Sequence, residues 1–224
     1  MRALLLVALT TFTAAAARPA LAQRLVGDAS LGLAGSSWRA AVAALWQVDL
    51  GPLRLGAGPR LTHFGGDAKT YRSHEALPAG VPPRLRFAPD VWALNLAVSG
   101  RVPIAGPVAA GANLDVLGVA LGPSRTSSGT KLKPARGSLF RYGDRDRGSL
   151  NSELFVALTV AREFTLRAGI SHYVTGYRLT EGPTKAHFLR FDTVPFLAVQ
   201  WAPSPRPPAT ELPHEADRAR PSVF

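Results

Sequence analysis

The sequence predicts an all-β fold, an eight-stranded antiparallel up-and-down transmembrane β-barrel preceded by a signal peptide. Three observations predict it. Apolar and polar residues alternate with a period of two in eight segments, short turns alternate with longer loops between those segments, and each strand opposes an apolar face to a face of charged and small residues. A period of two places successive side chains on opposite faces of a strand.

The first 22 residues have the three parts of a secretory signal peptide. Arg2 supplies a positive charge, residues 3–9 form an apolar run, and Ala20-Leu21-Ala22 ends in the Ala-x-Ala pattern. A membrane-anchoring helix is the alternative, but it needs about 20 apolar residues, and Arg18 and Pro19 interrupt the run. We therefore predict cleavage after Ala22 and export of the chain.

Composition limits how the exported part is stabilised. Cysteine is absent, so packing or a membrane must replace disulfides. The 21 Gly and 19 Pro are spread through the chain, which favours short strands and turns over long helices. The formal net charge of +11 suits nucleic acid or anionic lipid. Export favours phosphate-bearing lipid and predicts no nucleic-acid partner.

The alternation is clearest at residues 38–50, where every even position is apolar and Arg39, Gln47 and Asp49 lie on the other face. Four more segments repeat it, at residues 92–101, 150–160, 164–175 and 189–201. Weaker versions lie at residues 25–33, 52–64 and 107–121. The last of these loses its phase near Leu117, which indicates a β-bulge.

The connections alternate in length. In chain order they are residues 34–36, 49–52, 66–90, 104–107, 123–148, 162–164 and 180–186. The second, fourth and sixth are tight turns, whereas the third and fifth are long loops. Short turns at one end and longer loops at the other are typical of an outer-membrane barrel. An even number of strands also returns both chain ends to the short-turn side.

A soluble barrel such as a lipocalin also alternates, but it keeps apolar residues inside and charge outside. Here charged residues stand among small ones on the minor face of several strands, and an eight-stranded barrel has room inside only for side chains. The apolar face carries tryptophans near strand ends, where interfacial aromatic girdles belong. These are Trp38, Trp46, Trp92 and Trp201.

In this pattern of strands and turns, residues 24–201 resemble the small outer-membrane β-barrel superfamily, of the OmpX and OmpA transmembrane-domain type. The resemblance implies an outer-membrane barrel with a closed polar interior, a structural, adhesion or defence role, and recognition by the outer-membrane insertion machinery. Such barrels usually end in an aromatic residue, whereas here Trp201 is followed by a Pro-rich tail. We expect a barrel at residues 23–201 and an extended or disordered periplasmic tail at residues 202–224.

The predicted interior face is strongly charged. Its charged residues are Asp28, Arg39, Asp49, Arg54, Arg60, Arg101, Asp115, Glu153, Arg167, Arg190 and Asp192. Charges in a narrow barrel must pair, because an isolated buried charge is costly. We predict a salt-bridge network that plugs the lumen, and a small ion- or proton-selective pore is the alternative.

The long loops are basic. The first carries Lys69, Arg72, Arg84 and Arg86. The second carries Arg125, Lys131, Lys133, Arg136, Arg141, Arg145 and Arg147. If these loops are extracellular, we expect the second set to contact the phosphates of lipopolysaccharide, which Arg and Lys bind well. A solvated surface without a partner is the alternative.

Catalytic chemistry is weakly represented. Ser171 and His172, with Glu163 or Glu181, resemble the Ser/His/acid set of barrel lipid A deacylases, but neighbours on a strand point to opposite faces. A barrel-embedded lipid hydrolase stays the alternative to a structural or surface-interaction role. The histidines show no metal-ligand spacing; they are His63, His74, His172, His187 and His214. We expect no catalytic residues, no metal, no cofactor and a monomer.

Overall fold

The computed structural model describes residues 23–142, 145–180 and 186–203. The predicted signal peptide, His214, Glu181 and all but the first two residues of the predicted tail lie outside these ranges. The described residues form β1 Gln23–Ala34, β2 Ser37–Leu50, β3 Leu53–Gly66, β4 Lys69–Arg72, β5 Arg84–Phe87, β6 Asp90–Ala105, β7 Val108–Leu121, β8 Arg125–Ser127, β9 Thr130–Pro134, β10 Gly137–Leu139, β11 Leu150–Thr159, β12 Phe164–Leu179 and β13 His187–Trp201. Within these ranges, no helix has the length and apolar character needed to cross a membrane.

Eight long strands close into an antiparallel barrel. Their order is β1, β2, β3, β6, β7, β11, β12 and β13, and β13 pairs with both β12 and β1. The register between β1 and β13 sets Leu31 opposite Leu197. The eight strands coincide with the eight alternating segments, which confirms the predicted fold class. Gln23 and Trp201 begin and end the barrel at the short-turn side.

Short turns and the bulge follow from local chemistry. Gly51 and Gly106 have φ of 62° and 50°, a left-handed conformation that suits tight hairpin turns and that glycine adopts without strain. Between β6 and β7, Leu96 faces Leu117 but Ala97 faces Asp115, so Val116 is an extra residue. This confirms the bulge near Leu117. It also explains why Asp115 and Ala120, at odd and even positions, are both buried.

The outer wall of the barrel is apolar. Leu154 and Leu197 are 69% and 70% exposed, and large apolar side chains of the other barrel strands share this face. They include Leu25, Leu31, Val42, Leu55, Leu61, Leu94, Leu96, Val119, Val156, Leu166, Ile170 and Val199. A soluble monomer rarely exposes an apolar patch above a few hundred Å². The face assignment is therefore that of a transmembrane barrel and the reverse of a soluble one.

Tryptophans lie at both ends of this apolar band. Trp38 and Trp92 are close to the long-loop end, and Trp46 and Trp201 are close to the short-turn end. Trp38 and Trp46 are eight residues apart on β2, or roughly 26 Å along the strand. A tilt of about 40° reduces this to a height of roughly 20 Å, near the band of about 25 Å that outer-membrane barrels show.

The two long connections contain strands that were not predicted from the sequence. They contain the hairpins β4–β5 and β8–β9, and these extend the barrel wall beyond the membrane band. β4 pairs with β13 at Leu189, β9 pairs with β12 at Leu179, and β8 lies beside β5. There the Ser127 hydroxyl donates to the Arg86 carbonyl at 3.0 Å. We call β4, β5, β8, β9 and the adjoining ends of β12 and β13 the collar.

The two hairpins of the collar, β4–β5 and β8–β9, have apolar residues inside and charged residues outside. Tyr71, Leu85 and Leu132 are buried. Arg84 and Lys131, which directly precede Leu85 and Leu132 in the chain, are exposed. The buried side chains continue into the upper barrel in one cluster, which includes Phe64, Phe87, Val91, Tyr173, Tyr177 and Phe188. The expectation of a polar interior is thus wrong for most of the long-loop end, where this apolar cluster fills the interior; the Arg190–Asp192 pair on the inward face of β13 is the exception among the described residues named there. The physical reason is that water surrounds the collar, so its apolar face must turn inward.

Candidate functional site

The inward side chains of β3 divide the interior into three levels. From the short-turn end they run Arg54, Arg60 and Phe64, separated by smaller residues. Arg54 lies in the short-turn mouth, Arg60 in a central ion network and Phe64 in the apolar cluster under the collar. The two lower levels contain most of the predicted lumen residues.

The central network consists of three arginines and three carboxylates on six strands, namely Arg39, Arg60, Arg167, Asp28, Asp115 and Glu153. Glu153 lies at its centre. Its Oε1 is 2.7 Å from Arg39 Nη2 and 3.3 Å from Arg60 Nη1, and its Oε2 is 3.6 Å from Arg167 Nη1. The glutamate side chain is 1% exposed, so these interactions take place away from water.

Each remaining carboxylate of the network also has an arginine partner. Arg60 Nη2 is 2.5 Å from Asp115 Oδ1, and Arg167 pairs with Asp28. Since three cations face three anions, the network is electrically balanced. A buried ionic cluster needs this balance together with hydrogen bonds to its remaining donors and acceptors.

Neutral amides supply several of those hydrogen bonds. Asn113 Nδ2 donates to Glu153 Oε2 at 2.6 Å, and Asn95 Nδ2 donates to Asp115 Oδ2 at 2.8 Å. Asn151 donates to Glu153 Oε1 at 3.1 Å through its side chain. These amides are additions to the network that was predicted from the sequence. Their inward strand positions were the available signal, since each shares a face with a predicted lumen charge.

Two phenylalanines complete the central level. The Arg167 guanidinium lies 4.5 Å from the ring centroid of Phe155, and that of Arg39 lies 5.1 Å from Phe196. A cation over an aromatic face is stabilised, more so when it is desolvated. Gly111 makes room for Phe155, because a Cβ there would lie 2.6 Å from the ring.

The other predicted lumen charges lie outside the central network. Asp49 and Arg54 pair at the short-turn mouth, with a second hydrogen bond of 3.1 Å between Arg54 Nη2 and Asp49 Oδ2. Arg101 Nη1 donates to Gln200 Oε1 there at 3.3 Å. Arg24, which the sequence analysis omitted, faces the same mouth from β1.

Arg190 and Asp192 belong to the collar rather than to the network. They pair with each other on β13, with Nη2 and Oδ1 2.6 Å apart, beyond the last β1–β13 pair at Gly32. Arg190 Nη1 also donates to the Thr70 carbonyl at 3.3 Å. Nearby, the Tyr71 hydroxyl lies 2.8 Å from Thr175 Oγ1, and burial raises the pKa of Tyr71.

Four of the predicted lipopolysaccharide contacts converge on one concave surface at the long-loop end. Two adjoining hollows of about 200 and 320 Å³ share Arg141, Arg147 and His187. Arg145 borders the first hollow, and Arg136 borders the second. We call this surface the basic groove; its residues are His74, Glu75, Arg136, Arg141, Arg145, Asp146, Arg147, Arg178 and His187.

The two acids of the basic groove are already occupied. Asp146 Oδ1 accepts hydrogen bonds from the backbone N–H groups of Arg141 and Tyr142, at 2.6 and 2.7 Å. Glu75 Oε2 accepts from the backbone N–H of His187 at 2.8 Å and lies 3.2 Å from its Nδ1. Among the described residues, the groove therefore presents an excess of guanidinium groups to an incoming anion.

Arg178 adds an unsatisfied donor to the groove. Its Nε is buried and has no hydrogen-bond acceptor within the described ranges. Arg178 was not predicted as a site residue, because the clear alternation of β12 ends at Thr175. Arg178 lies three residues beyond Thr175 on the same strand. It is on the outward face, which is apolar in the part of β12 within the membrane band.

The three other basic residues of the second loop lie apart from the groove. Arg125 Nη2 is 3.0 Å from Asp90 Oδ2, and the same carboxylate is 3.0 Å from His63 Nε2. Lys131 and Lys133 project from the exposed face of β9. Of the seven predicted lipopolysaccharide contacts, four therefore lie in the basic groove, Arg125 pairs with Asp90, and two lysines are exposed on β9.

Ser171 and His172 lie on opposite faces of β12. Ser171 is buried and accepts from Arg39 Nε at 2.7 Å, whereas the His172 Nδ1 lies 2.8 Å from Thr193 Oγ1 on the outside. A third hollow, of about 870 Å³, lies on the outer wall and includes Leu31 and Leu197. It is part of the apolar band rather than of a polar site.

The sequence matches no protein-family model and no curated protein. Among solved structures, the chain is similar to neisserial surface protein A, with a TM-score of 0.38 and 16% identity over 80% of this chain and 96% of that one. It is also similar to OmpT of Vibrio cholerae, with a TM-score of 0.22 and 14% identity over 78% of this chain and 64% of that one. In its own strand number, closure and face assignment, the chain is a small outer-membrane-type β-barrel.

Proposed function

We propose that the protein is an outer-membrane barrel of a Gram-negative envelope, with its interior closed by the central network and a structural or surface-interaction role. Its long-loop end faces the cell exterior, and the basic groove binds phosphate groups of lipopolysaccharide. The protein is a monomer that the outer-membrane insertion machinery assembles. The observation that carries the proposal is the convergence of arginines in the groove.

The chemistry of the groove suits phosphate. Arginine presents planar, paired donors that match the oxygens of a phosphate group. Arg141 and Arg147 border both hollows, and the Arg178 Nε lacks an acceptor within the described part of the chain. Trp38 and Trp92 lie at the long-loop end of the apolar band, the end that carries the groove, and interfacial tryptophans sit at the level of lipid head groups.

Location is tested by fractionation of cells that express the chain, followed by electrophoresis of heated and unheated samples in SDS. We expect recovery in the outer membrane and a shift in migration on heating, because a closed barrel satisfies its backbone hydrogen bonds internally. Recovery in the soluble periplasmic fraction without a shift would contradict the proposal.

Binding is tested with the purified chain in an uncharged detergent. Lipopolysaccharide and its chemically dephosphorylated form are compared, with wild type and the double variant R141Q/R147Q. We expect at least tenfold weaker binding for either change, since each removes charge-assisted hydrogen bonds. R162Q removes a charge from the opposite end of the barrel and is the matched control. Equal affinity for both lipid forms would overturn the assignment.

Closure of the interior is tested in planar bilayers. Arg39 and Arg60 both pair with Glu153 across the lumen, and the three side chains are at most 3% exposed. We therefore expect silent recordings from wild-type barrels. Steady conductance steps would show instead that the barrel is a small pore.

A further inference from the structure

The short-turn mouth differs from the central network in its charge. Arg24, Arg54 and Arg101 face this mouth from three strands, and Asp49 is the carboxylate beside them. Among these four described side chains, the three cations exceed the one anion by two positive charges. The central network, one level deeper, has three of each.

The strand register forces two of these arginines together. Arg54 and Arg101 are directly opposite each other in the β3–β6 pairing. Like charges in this position destabilise a sheet. Asp49 accepts two hydrogen bonds from the Arg54 guanidinium. Its negative charge therefore offsets the charge of Arg54 but not that of Arg101.

The other two arginines, Arg24 and Arg101, have guanidinium N–H donors without a strong acceptor among the described residues. Arg101 makes a long hydrogen bond of 3.3 Å to the neutral Gln200. The Nε of Arg24 is buried without an acceptor anywhere in the described segments. The mouth is also open to solvent, since the side chains of Arg54 and Asp49 are 26% and 40% exposed.

We propose that this mouth is a second anion site, which binds a phosphate group between Arg24 and Arg101. The phosphate oxygens satisfy the unused guanidinium donors and offset the repulsion between Arg54 and Arg101. The site lies at the barrel end opposite to the basic groove and does not depend on it. Free inorganic phosphate and the head group of an anionic phospholipid share the required chemistry.

The test is an NMR titration of the full chain in uncharged maltoside micelles with inorganic phosphate. We expect saturable shifts of the backbone amides of Gln47 and Gln200, which lie at the mouth. R101Q should weaken this response about tenfold or more, because it removes a charge-assisted interaction. D49N should strengthen it, because the competing carboxylate is lost and the excess charge increases.

Controls separate this site from the basic groove and from general charge effects. R162Q removes an exposed arginine from the same end of the barrel and should leave the mouth response unchanged. R101Q should leave the groove amides unaffected, and its heat-dependent gel shift reports whether it folds. D49N keeps the test decisive if R101Q does not fold.

The source of the phosphate is distinguished in lipid nanodiscs. Shifts of the mouth amides in phosphatidylglycerol discs, but not in phosphatidylcholine discs without phosphate, would assign the site to a lipid head group. Shifts only on addition of inorganic phosphate would assign it to the free ion. The proposal is overturned if neither source moves these amides, or if R101Q and R162Q have equal effects.

Discussion

The membrane band and the collar share strands β12 and β13 but have opposite patterning. On β12, Arg167 and Ser171 point into the barrel while Leu166 and Ile170 point outward, but farther along Tyr177 points inward and Arg178 outward. The backbone geometry is continuous across this change. The difference teaches that the surrounding solvent, and not the strand, determines which face is apolar.

The two regions also require different interiors. Inside the band, charge must be balanced among buried groups, and the three pairs of the central network achieve this. Inside the collar, aromatic rings pack instead, with Tyr71 and Phe87 stacked at a centroid distance of 4.2 Å. We therefore expect substitutions to have different costs in the two regions.

The largest expected effect is on the central network. Glu153→Ala removes the carboxylate that contacts Arg39, Arg60 and Arg167 and leaves a net buried positive charge. We expect the barrel to lose about 3–5 kcal/mol of unfolding free energy, measured by urea titration in lipid vesicles. Glu75→Ala, at a carboxylate that is 43% exposed, is the control and should change stability by about 1 kcal/mol or less. Equal losses at the two positions would mean that burial of the network is not what stabilises the band.

The next effect concerns the outer wall. Leu154→Arg places a charge on the lipid-facing side of β11, where Leu154 is 69% exposed. We expect a loss of about 2–4 kcal/mol in the same vesicle measurement, because lipid solvates the charge poorly. Tyr142→Arg, at a residue 82% exposed beyond the band, is the control and should stay within about 0.5 kcal/mol of wild type. If Leu154→Arg leaves the unfolding free energy unchanged, the outer wall is in contact with water rather than with lipid.

The smallest effect is local to the collar. Tyr71→Phe removes the hydroxyl that lies 2.8 Å from Thr175 Oγ1 and leaves the ring in place. We expect local opening to become easier by about 1 kcal/mol, seen as faster amide hydrogen exchange in β4 and β5 with unchanged exchange in β2. The matched control, Tyr142→Phe, removes an exposed hydroxyl. Faster exchange throughout the barrel would show that collar and band do not open separately.

The sequence predicted the band well because its signal is local. Alternation identified all eight barrel strands, and the loss of phase near Leu117 located the bulge at Val116. The collar was missed although Tyr71, Leu85 and Leu132 alternate with basic residues. Those runs are short, and length usually separates strands from loops.

The candidate sites were predictable only in part. Arg39, Arg60 and Glu153 could be placed in the interior from strand parity, but parity does not state which charges meet. The basic groove joins the second long loop to Arg178 and His187 on other strands. The contact between these segments depends on the tertiary arrangement of the long-loop end, which no local sequence pattern encodes.

The most direct test of the reversal between band and collar is site-directed spin labelling. The chain has no cysteine, so single cysteines can be placed at Leu94 and Leu154 in the band and at Arg84 and Lys131 in the collar. Collision with oxygen, which is enriched in lipid, is compared with collision with a water-soluble nickel complex for each labelled protein in vesicles. We expect oxygen-dominated collisions at the two band positions and nickel-dominated collisions at the two collar positions. Nickel-dominated collisions at all four positions would contradict the reversal.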